Sequence, residues 1–372
     1  MKEIIQIEKG YPLMTRLFVI LLVMSIIACA PINSNARKGV QTAIYNVGYQ
    51  VLDFKYPKKG EERELTAAVW YPTAAQPKLY NYGGPTMGNI AFNATPLAKG
   101  VIYPLLVFSH GYGGSGLGSV FFTEQLAARG WVVVAPDHHD RHSVVRIRTG
   151  QKKDFNRRGF LLHAGKIASS SPDDRINYLY RLDEMKLAID RMLNHPLFGK
   201  LIDRNRIALG GHSLGGFTAL GLCGTIERRF DPRVKAVLLF STGSGGYLYR
   251  ETELARVKIP SMLFMGERER NQLRGSKTMS EVSGKIHRNL SPPKYFLEIK
   301  GASHFSFNNR FAENRRARML IGTKKQFEVI RRYSIAFLEK HVAGKKDADQ
   351  VLKGRDRMLA QYIRKLTPGQ SK

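Results

Sequence analysis

Ser213 stands in "GGHSLGG", residues 210–216, directly after the apolar run beginning at Ile207. A hydroxyl placed between small residues, with a strand pattern before it and a helix pattern after it, fits the G-x-S-x-G elbow. Gly211 and Gly215 suit that elbow because the turn is so sharp that a Cβ would collide with neighbouring backbone. The turn lifts the hydroxyl clear of the sheet, and the start of the next helix offers N–H groups to developing negative charge. The chemistry implied is nucleophilic attack on an acyl carbonyl. A serine hydroxyl is a weak nucleophile by itself and needs a base, oriented in turn by an acid.

The base is expected at His304, in "IKGASHFSF" just after a strand ending near Ile299. The acid is expected between Ser213 and His304, in the chain order serine, acid, histidine. Of the carboxylates there, Glu227 and Asp231 fall behind the elbow helix, Glu281 in an insert and Glu298 inside a strand. Glu267 and Glu269 follow the strand-like "SMLFMG", and the spacing from Gly266 favours Glu269. Glu251 and Glu253 are the next place to look. An oxyanion hole needs two N–H groups: Leu214 supplies one, and Tyr112 in "FSHGYGGSG" the other. No cofactor is required by this chemistry.

The cluster "PDHHDRH" at 136–142 offers His138, His139, Asp140 and His142, but consecutive histidines on an extended loop point opposite ways. No metal site is therefore expected, and Asp137 is expected to fasten its own loop. Cys223 reads as a small buried hydrophobe on the helix after the elbow.

These residues must be held by a sheet. Two strand-like runs, 45–54 and 65–71, predict an antiparallel hairpin, and the Gly/Pro/Asn-rich stretch 74–100 predicts loop. Strands at 103–108, 131–135, 207–210, 236–240, 262–265 and 295–299 then alternate with helices. They include a long amphipathic helix capped by Ser171 and Pro172, and a last helix over 326–340. Strand–helix alternation predicts a mostly parallel sheet covered by helices on both faces. One α/β domain over 45–343 is expected, with a basic insert at about 141–170 and a charged tail over 344–372, read as a terminal amphipathic helix or a frayed end.

The first 28 residues carry a basic start at Arg16 and an apolar core over 17–28, the pattern of a secretory signal that is short for a membrane span. Met14 is an alternative start. "IIAC", ending at Cys29, resembles a bacterial lipobox, which implies lipidation of Cys29, a tether over 29–44 and a membrane-anchored lipoprotein on the periplasmic or outer-membrane face. Lys and Arg total 59 against 30 Asp and Glu, a formal charge of +29. Such a balance draws a protein to anionic surfaces. No nucleic-acid-binding signature accompanies it, so an anionic lipid surface is the expected partner. The competing class is a non-catalytic cationic lipoprotein that binds anionic cell-surface polymer or lipid.

Taken together, "VWYPTA" (69–74), "PLLVFSHGYGG" (104–114), "GWVVVAPDHHD" (130–140), "DRNRIALGGHSLGG" (203–216) and "GASHF" (301–305) resemble the α/β-hydrolase superfamily. Within it the chain is similar to bacterial predicted dienelactone hydrolases and to isoform-II platelet-activating-factor acetylhydrolases, with cutinase-like features in "GYG" and "GASHF". The resemblance implies Ser213 as nucleophile, His304 as base, and Tyr112 and Leu214 as oxyanion amides. It implies a serine esterase acting on short-acyl or phospholipid-type esters. Two departures from the pattern concern the acid and the nucleophile. The loop after 236–240, where the mammalian acetylhydrolases carry their Asp, reads "STGSGG" here, and Glu269 stands where the dienelactone hydrolases and cutinases carry Asp. True dienelactone hydrolases use a cysteine nucleophile, whose place Ser213 occupies.

Overall fold

The architecture follows from a set of short, apolar runs that bury on both faces. In the computed structural model, residues 45–367 are described, apart from 59, 99, 152–154, 244–247, 275 and 314. The expected signal segment, Cys29 and the expected tether lie outside the described residues. The first strands, β1 (Asn46–Lys58) and β2 (Glu61–Thr73), form the expected hairpin, in register from Asn46↔Thr73 to Lys58↔Glu61.

The stretch expected as loop is a second hairpin, β3 (Lys78–Gly83) and β4 (Thr86–Phe92). Its Gly and Pro residues concentrate in the tight turn, while Tyr82 and Ile90 bury against the first hairpin and Trp70 donates its indole N–H to Tyr82 at 2.8 Å. Turn residues weighted the whole stretch toward loop, and the short alternating pattern was too brief to outweigh them.

Then come β5 (Tyr103–Ser109), the helix Val120–Ala127 and β6 (Val132–Pro136). The insert holds a small ribbon, β7 (Val145–Arg146) with β8 (Gly150–Gln151), and the helix Arg157–Ser169. Ser171 caps the next element as expected, but the first turns, Pro172–Tyr178, are 3-10, and the α-helix begins at Tyr180 and runs to Leu193. β9 (Ile202–His212) leads into the helix Leu214–Leu220, and β10 (Val234–Phe240) into the short helix Glu251–Leu254. After β11 (Ser261–Gly266) come the ribbon β12 (Leu273–Arg274) and β13 (Lys277–Thr278), the helix Met279–Asn289 and β14 (Lys294–Ile299). The helices Arg315–Leu320, Lys324–His341 and Ala348–Lys353 precede β15 (Leu359–Lys365).

The main sheet has the order β15-β14-β11-β10-β9-β5-β6-β2-β1-β4-β3. Its centre, β6 through β14, is parallel, and the flanking strands β2 and β15 run antiparallel to it. Along β5, Leu105 and Val107 join the core on one face while Leu106 and Phe108 join the core on the other. That alternation explains why these strands read as unbroken apolar runs. The chain passes from β5 outward to β6, then crosses back to β9 on the other side of β5. Loops leaving the C-terminal ends of β5 and β9 therefore diverge, and the crevice between them is where open α/β sheets bind ligands.

Past residue 343 the chain does not trail away. The helix Ala348–Lys353 buries Ala348 and Leu352, and β15 pairs with β14 from Ile299↔Leu359 to Lys294↔Lys365. The charges that disguised this segment are paired: Asp349 with Lys340 and Arg364, and Asp356 with Arg332.

Candidate active site

Ser213 sits between β9 and the helix beginning at Leu214 with φ 55° and ψ −119°. A side-chain-bearing residue avoids that region unless its surroundings impose it. Here they do. Ser213 N–H donates to the Phe240 carbonyl at 2.9 Å. A Cβ on Gly211 would run into the backbone of Gly215, one on Gly215 into the Ser109 carbonyl, and one on Gly216 into Thr242. The three glycines are thus what lets the helix start this close to β5 and β10.

The Ser213 hydroxyl lies 3.0 Å from His304 Nε2. His304 opens a turn of 3-10 helix, His304–Phe307, shortly after β14, as the sequence suggested. Its Nδ1 lies 3.0 Å from Glu269 Oε2. Glu269 is fully buried, closing the turn Glu267–Glu269 after β11, and its Oε1 accepts the Gly266 N–H at 2.8 Å. Burial pushes the Glu269 carboxyl pKa up. The hydrogen bond and charge of His304, with the Ser241 hydroxyl and the Gly266 N–H, outweigh that and hold it below the usual carboxylate range. Glu269 is therefore ionised at neutral pH, the state that accepts the imidazole N–H.

Glu267, the alternative acid, is turned away from the histidine ring: its Oε2 accepts the Gly301 N–H at 2.8 Å. Glu253 is bound to Arg175 at 2.7 Å, and Glu298 faces the Arg270 guanidinium at 2.8 and 2.9 Å. Tyr112 lies in the loop after β5. A Cβ built on the neighbouring Gly111 would approach Ser213 Cβ to 3.2 Å, so this loop lies directly against Ser213. Leu214 is the first residue of the elbow helix, where backbone N–H groups have no intrahelical acceptor.

The loop after β5 rests on a buried polar scaffold that sequence reasoning did not foresee. Fully buried Arg181 donates from Nη2 to the His110 carbonyl at 2.7 Å. The His138 N–H donates to His110 Nε2 at 3.0 Å, which leaves the proton on Nδ1 to reach the Gly111 carbonyl at 2.7 Å. The Glu184 carboxylate accepts from Nδ1 of both His138 and His139 at 2.8 Å. His138 Nε2 then accepts the Ser109 hydroxyl at 2.7 Å. Burial and the Arg181 charge lower the pKa of both His110 and His138, so both are neutral. Burial pushes Glu184 up, but the two histidine hydrogen bonds prevail and bring it to about 2.

Asp140 accepts the Gly113 N–H at 3.2 Å, and Asp137 accepts those of Gly116 and Ile147 at 2.7 and 2.8 Å, so Asp137 does fasten its loop. His138, His139 and Asp140 are thus committed to protein partners, and His142 lies beside Gly159 and His163. Among the described residues no group of three or more His, Cys, Asp or Glu side chains is arranged to hold a metal ion.

Two further groups complete the site. His212 Nε2 donates to the His304 carbonyl at 2.9 Å, tying down the backbone at His304. Ser241, just after β10, places its hydroxyl 2.5 Å from Glu269 Oε2 and 2.6 Å from His304 Nδ1. Neither has a motif of its own. His212 was visible only as the variable residue of the elbow, and Ser241 as one serine of a glycine-rich loop.

The chain is similar to several known proteins. Residues 68–164 match the family described as platelet-activating factor acetylhydrolase, isoform II. Platelet-activating factor acetylhydrolase of Cavia porcellus is 24% identical over 286 residues, covering 69% of this chain and 61% of the relative. The chain thus spans less than two thirds of that relative's length. The same enzyme of Canis lupus familiaris is 24% identical over 378 residues, covering 85% of this chain and 80% of the relative. Among solved structures, a ferulic acid esterase from Streptomyces cinnamoneus superposes with a TM-score of 0.60 at 22% identity, over 82% of this chain and 92% of the other.

Proposed function

We propose that this chain, an α/β-hydrolase related to the isoform II platelet-activating factor acetylhydrolases, is a serine carboxylic-ester hydrolase. The observation that carries the reading is the continuous line Glu269–His304–Ser213, with 3.0 Å at each step, at the C-terminal edge of the parallel sheet. Glu269 holds the imidazole with its proton on Nδ1, leaving Nε2 to take the Ser213 proton. Ser213 Oγ attacks the ester carbonyl, and the N–H groups of Tyr112 and Leu214 receive the oxyanion. The protonated His304 gives its proton to the departing alcohol. Water then enters, loses a proton to His304, and releases the acid from the acyl-enzyme.

Support for short-acyl or phospholipid-type esters comes from the names of the relatives. The test is labelling by a fluorophosphonate probe together with hydrolysis of nitrophenyl esters of increasing acyl length. The expected result is one label, lost in Ser213→Ala, and turnover that falls with acyl length. A protein that neither labels nor turns over any ester would instead be the cationic binding protein considered above.

We propose separately that a lipid on Cys29 anchors the protein at a membrane. Support lies in "IIAC" closing an apolar run, and in the formal charge of +29, which favours anionic lipid surfaces. Cys29→Ala is expected to move the protein from the membrane to the soluble fraction. Continued sedimentation with membranes would overturn the lipid anchor.

A further inference from the structure

The shortest contact made by His304 Nδ1 is not with the acid. It is with Ser241 Oγ at 2.6 Å, against 3.0 Å for Glu269 Oε2, while Ser241 Oγ and Glu269 Oε2 are themselves 2.5 Å apart. The three atoms form a closed triangle, and the hydrogen inventory fixes how it is wired. An ionised carboxylate only accepts, so the hydrogen between Ser241 and Glu269 belongs to the hydroxyl. With that hydrogen turned to Glu269, the hydroxyl presents lone pairs to His304. The Nδ1–H is then shared between two acceptors, a carboxylate and a neutral oxygen already polarised by it.

The fold holds Ser241 at a conformational cost. Its φ is 45°, in the left-handed region where glycine is at ease and a serine is not. Its N–H donates to the Phe264 carbonyl at 2.8 Å, its own carbonyl accepts from Gly243 at 3.1 Å, and the side chain is fully buried. Glycines follow at 243, 245 and 246, so the loop is rich in the residue that this backbone prefers. A strained backbone with a buried side chain aimed at the base directs attention to that side chain.

We propose that Ser241 is a positioning residue: its hydroxyl is a second acceptor for the His304 Nδ1–H and holds the productive imidazole tautomer alongside Glu269. The proposal rests on the serine-hydrolase reading of the site. In the intact enzyme the hydroxyl steadies the ring and helps to stabilise the imidazolium. Without the carboxylate, the hydroxyl is the acceptor that remains. Removing the acid by Glu269→Ala therefore spares the tautomer, whereas Glu269→Gln introduces an amide N–H that can turn toward Nδ1 and disfavour the proton there.

The test is a double-mutant cycle on kcat. Ser241→Ala in the wild-type background is expected to lower kcat by about 3-fold with KM unchanged, and the same change in Glu269→Ala by about 30-fold or more. Ser241→Gly serves as the second variant, since glycine suits φ 45° and removes the hydroxyl without disturbing the loop. A purely structural role would give one factor in both backgrounds, and that result would overturn the proposal.

The second readout is independent of turnover. The His304 Nδ1–H proton resonance is expected to persist downfield in Glu269→Ala and to vanish in the double variant. Its loss in Glu269→Ala alone would likewise overturn the role of Ser241. If Ser213→Ala and His304→Ala keep wild-type turnover, the hydrolase reading itself fails, and the resonance still reports whether Ser241 accepts the proton.

Discussion

The elbow that carries Ser213 and the loop that faces it are built by opposite means. The elbow at Ser213 is fixed by backbone and by the absence of side chains: three glycines, one N–H bond to Phe240, and apolar strands on either side. The loop after β5 is fixed by charge and polarity: Arg181, two neutral histidines, Glu184, Asp137 and Asp140, nearly all buried. The small residues that make the elbow lie in one short motif, although the groups they accommodate come from β5 and the loop after β10. Polar fixing reaches across the chain, from 110 to 138 to 184, and each member leaves a costly orphan if its partner is lost. The elbow should therefore fail in activity when its chemistry is removed, and the loop in stability and activity together.

The largest effect expected on the elbow side is from Ser213→Ala, a fall of at least ~1,000-fold in kcat at unchanged melting temperature, measured on a nitrophenyl ester. Glu269→Gln comes next, with kcat reduced ~100-fold or more and KM little altered, because the amide disturbs the imidazole tautomer.

On the loop side, Arg181→Met removes the donor to the His110 carbonyl and leaves Asp140 without its 3.4 Å ion-pair partner. It is expected to cost about 3–5 kcal/mol of stability and about 10-fold in kcat. Denaturant unfolding alongside kinetics separates the two losses, and a loss of activity alone would erase the contrast between the regions.

Glu184 gives the contrast a pH signature. Its carboxyl pKa of about 2 in the folded state lies below the ordinary value of 4.5, so its contribution is present above that ordinary value. The contribution is lost as pH falls toward 2, and it is worth ~3 kcal/mol at neutral pH. Glu184→Gln should be less stable than the wild type at pH 7, with the gap closing near pH 2. The smallest effect is expected from Glu267→Gln, within about 3-fold of wild type, because the amide oxygen still accepts the Gly301 N–H.

The same contrast explains what could be read in advance. Ser213, His304 and Glu269 were legible because each follows the C-terminal end of its own strand, so order along the chain becomes proximity at one edge of the sheet. The parallel core was legible from apolar runs that carry no alternation. Arg181 and Glu184 were visible only as charged positions in an amphipathic helix, because nothing local says that a charge on that helix will be buried. His138 and His139 read as a failed metal motif, and their carboxylate partner lies 46 and 45 positions away. Ser241 depends on β10 and β11 being neighbours, with Phe240 opposite Phe264, a register that no short pattern encodes. The second hairpin and the C-terminal strand were hidden by composition, the one by glycine and proline and the other by lysine and arginine.

The edge strand β15 has a consequence for how the protein is made. Synthesis runs from the N-terminus, so Ser213, Glu269 and His304 are all assembled before Leu359–Lys365 exist. Until those residues arrive, β14 offers a row of unpaired backbone N–H and C=O groups to any passing strand. A message cut short after residue 354 would encode every reactive side chain and still yield a protein that sticks to its own copies. Pairing of Leu359–Lys365 with β14 thus closes that edge of the sheet and guards the folded chain against association with its own copies.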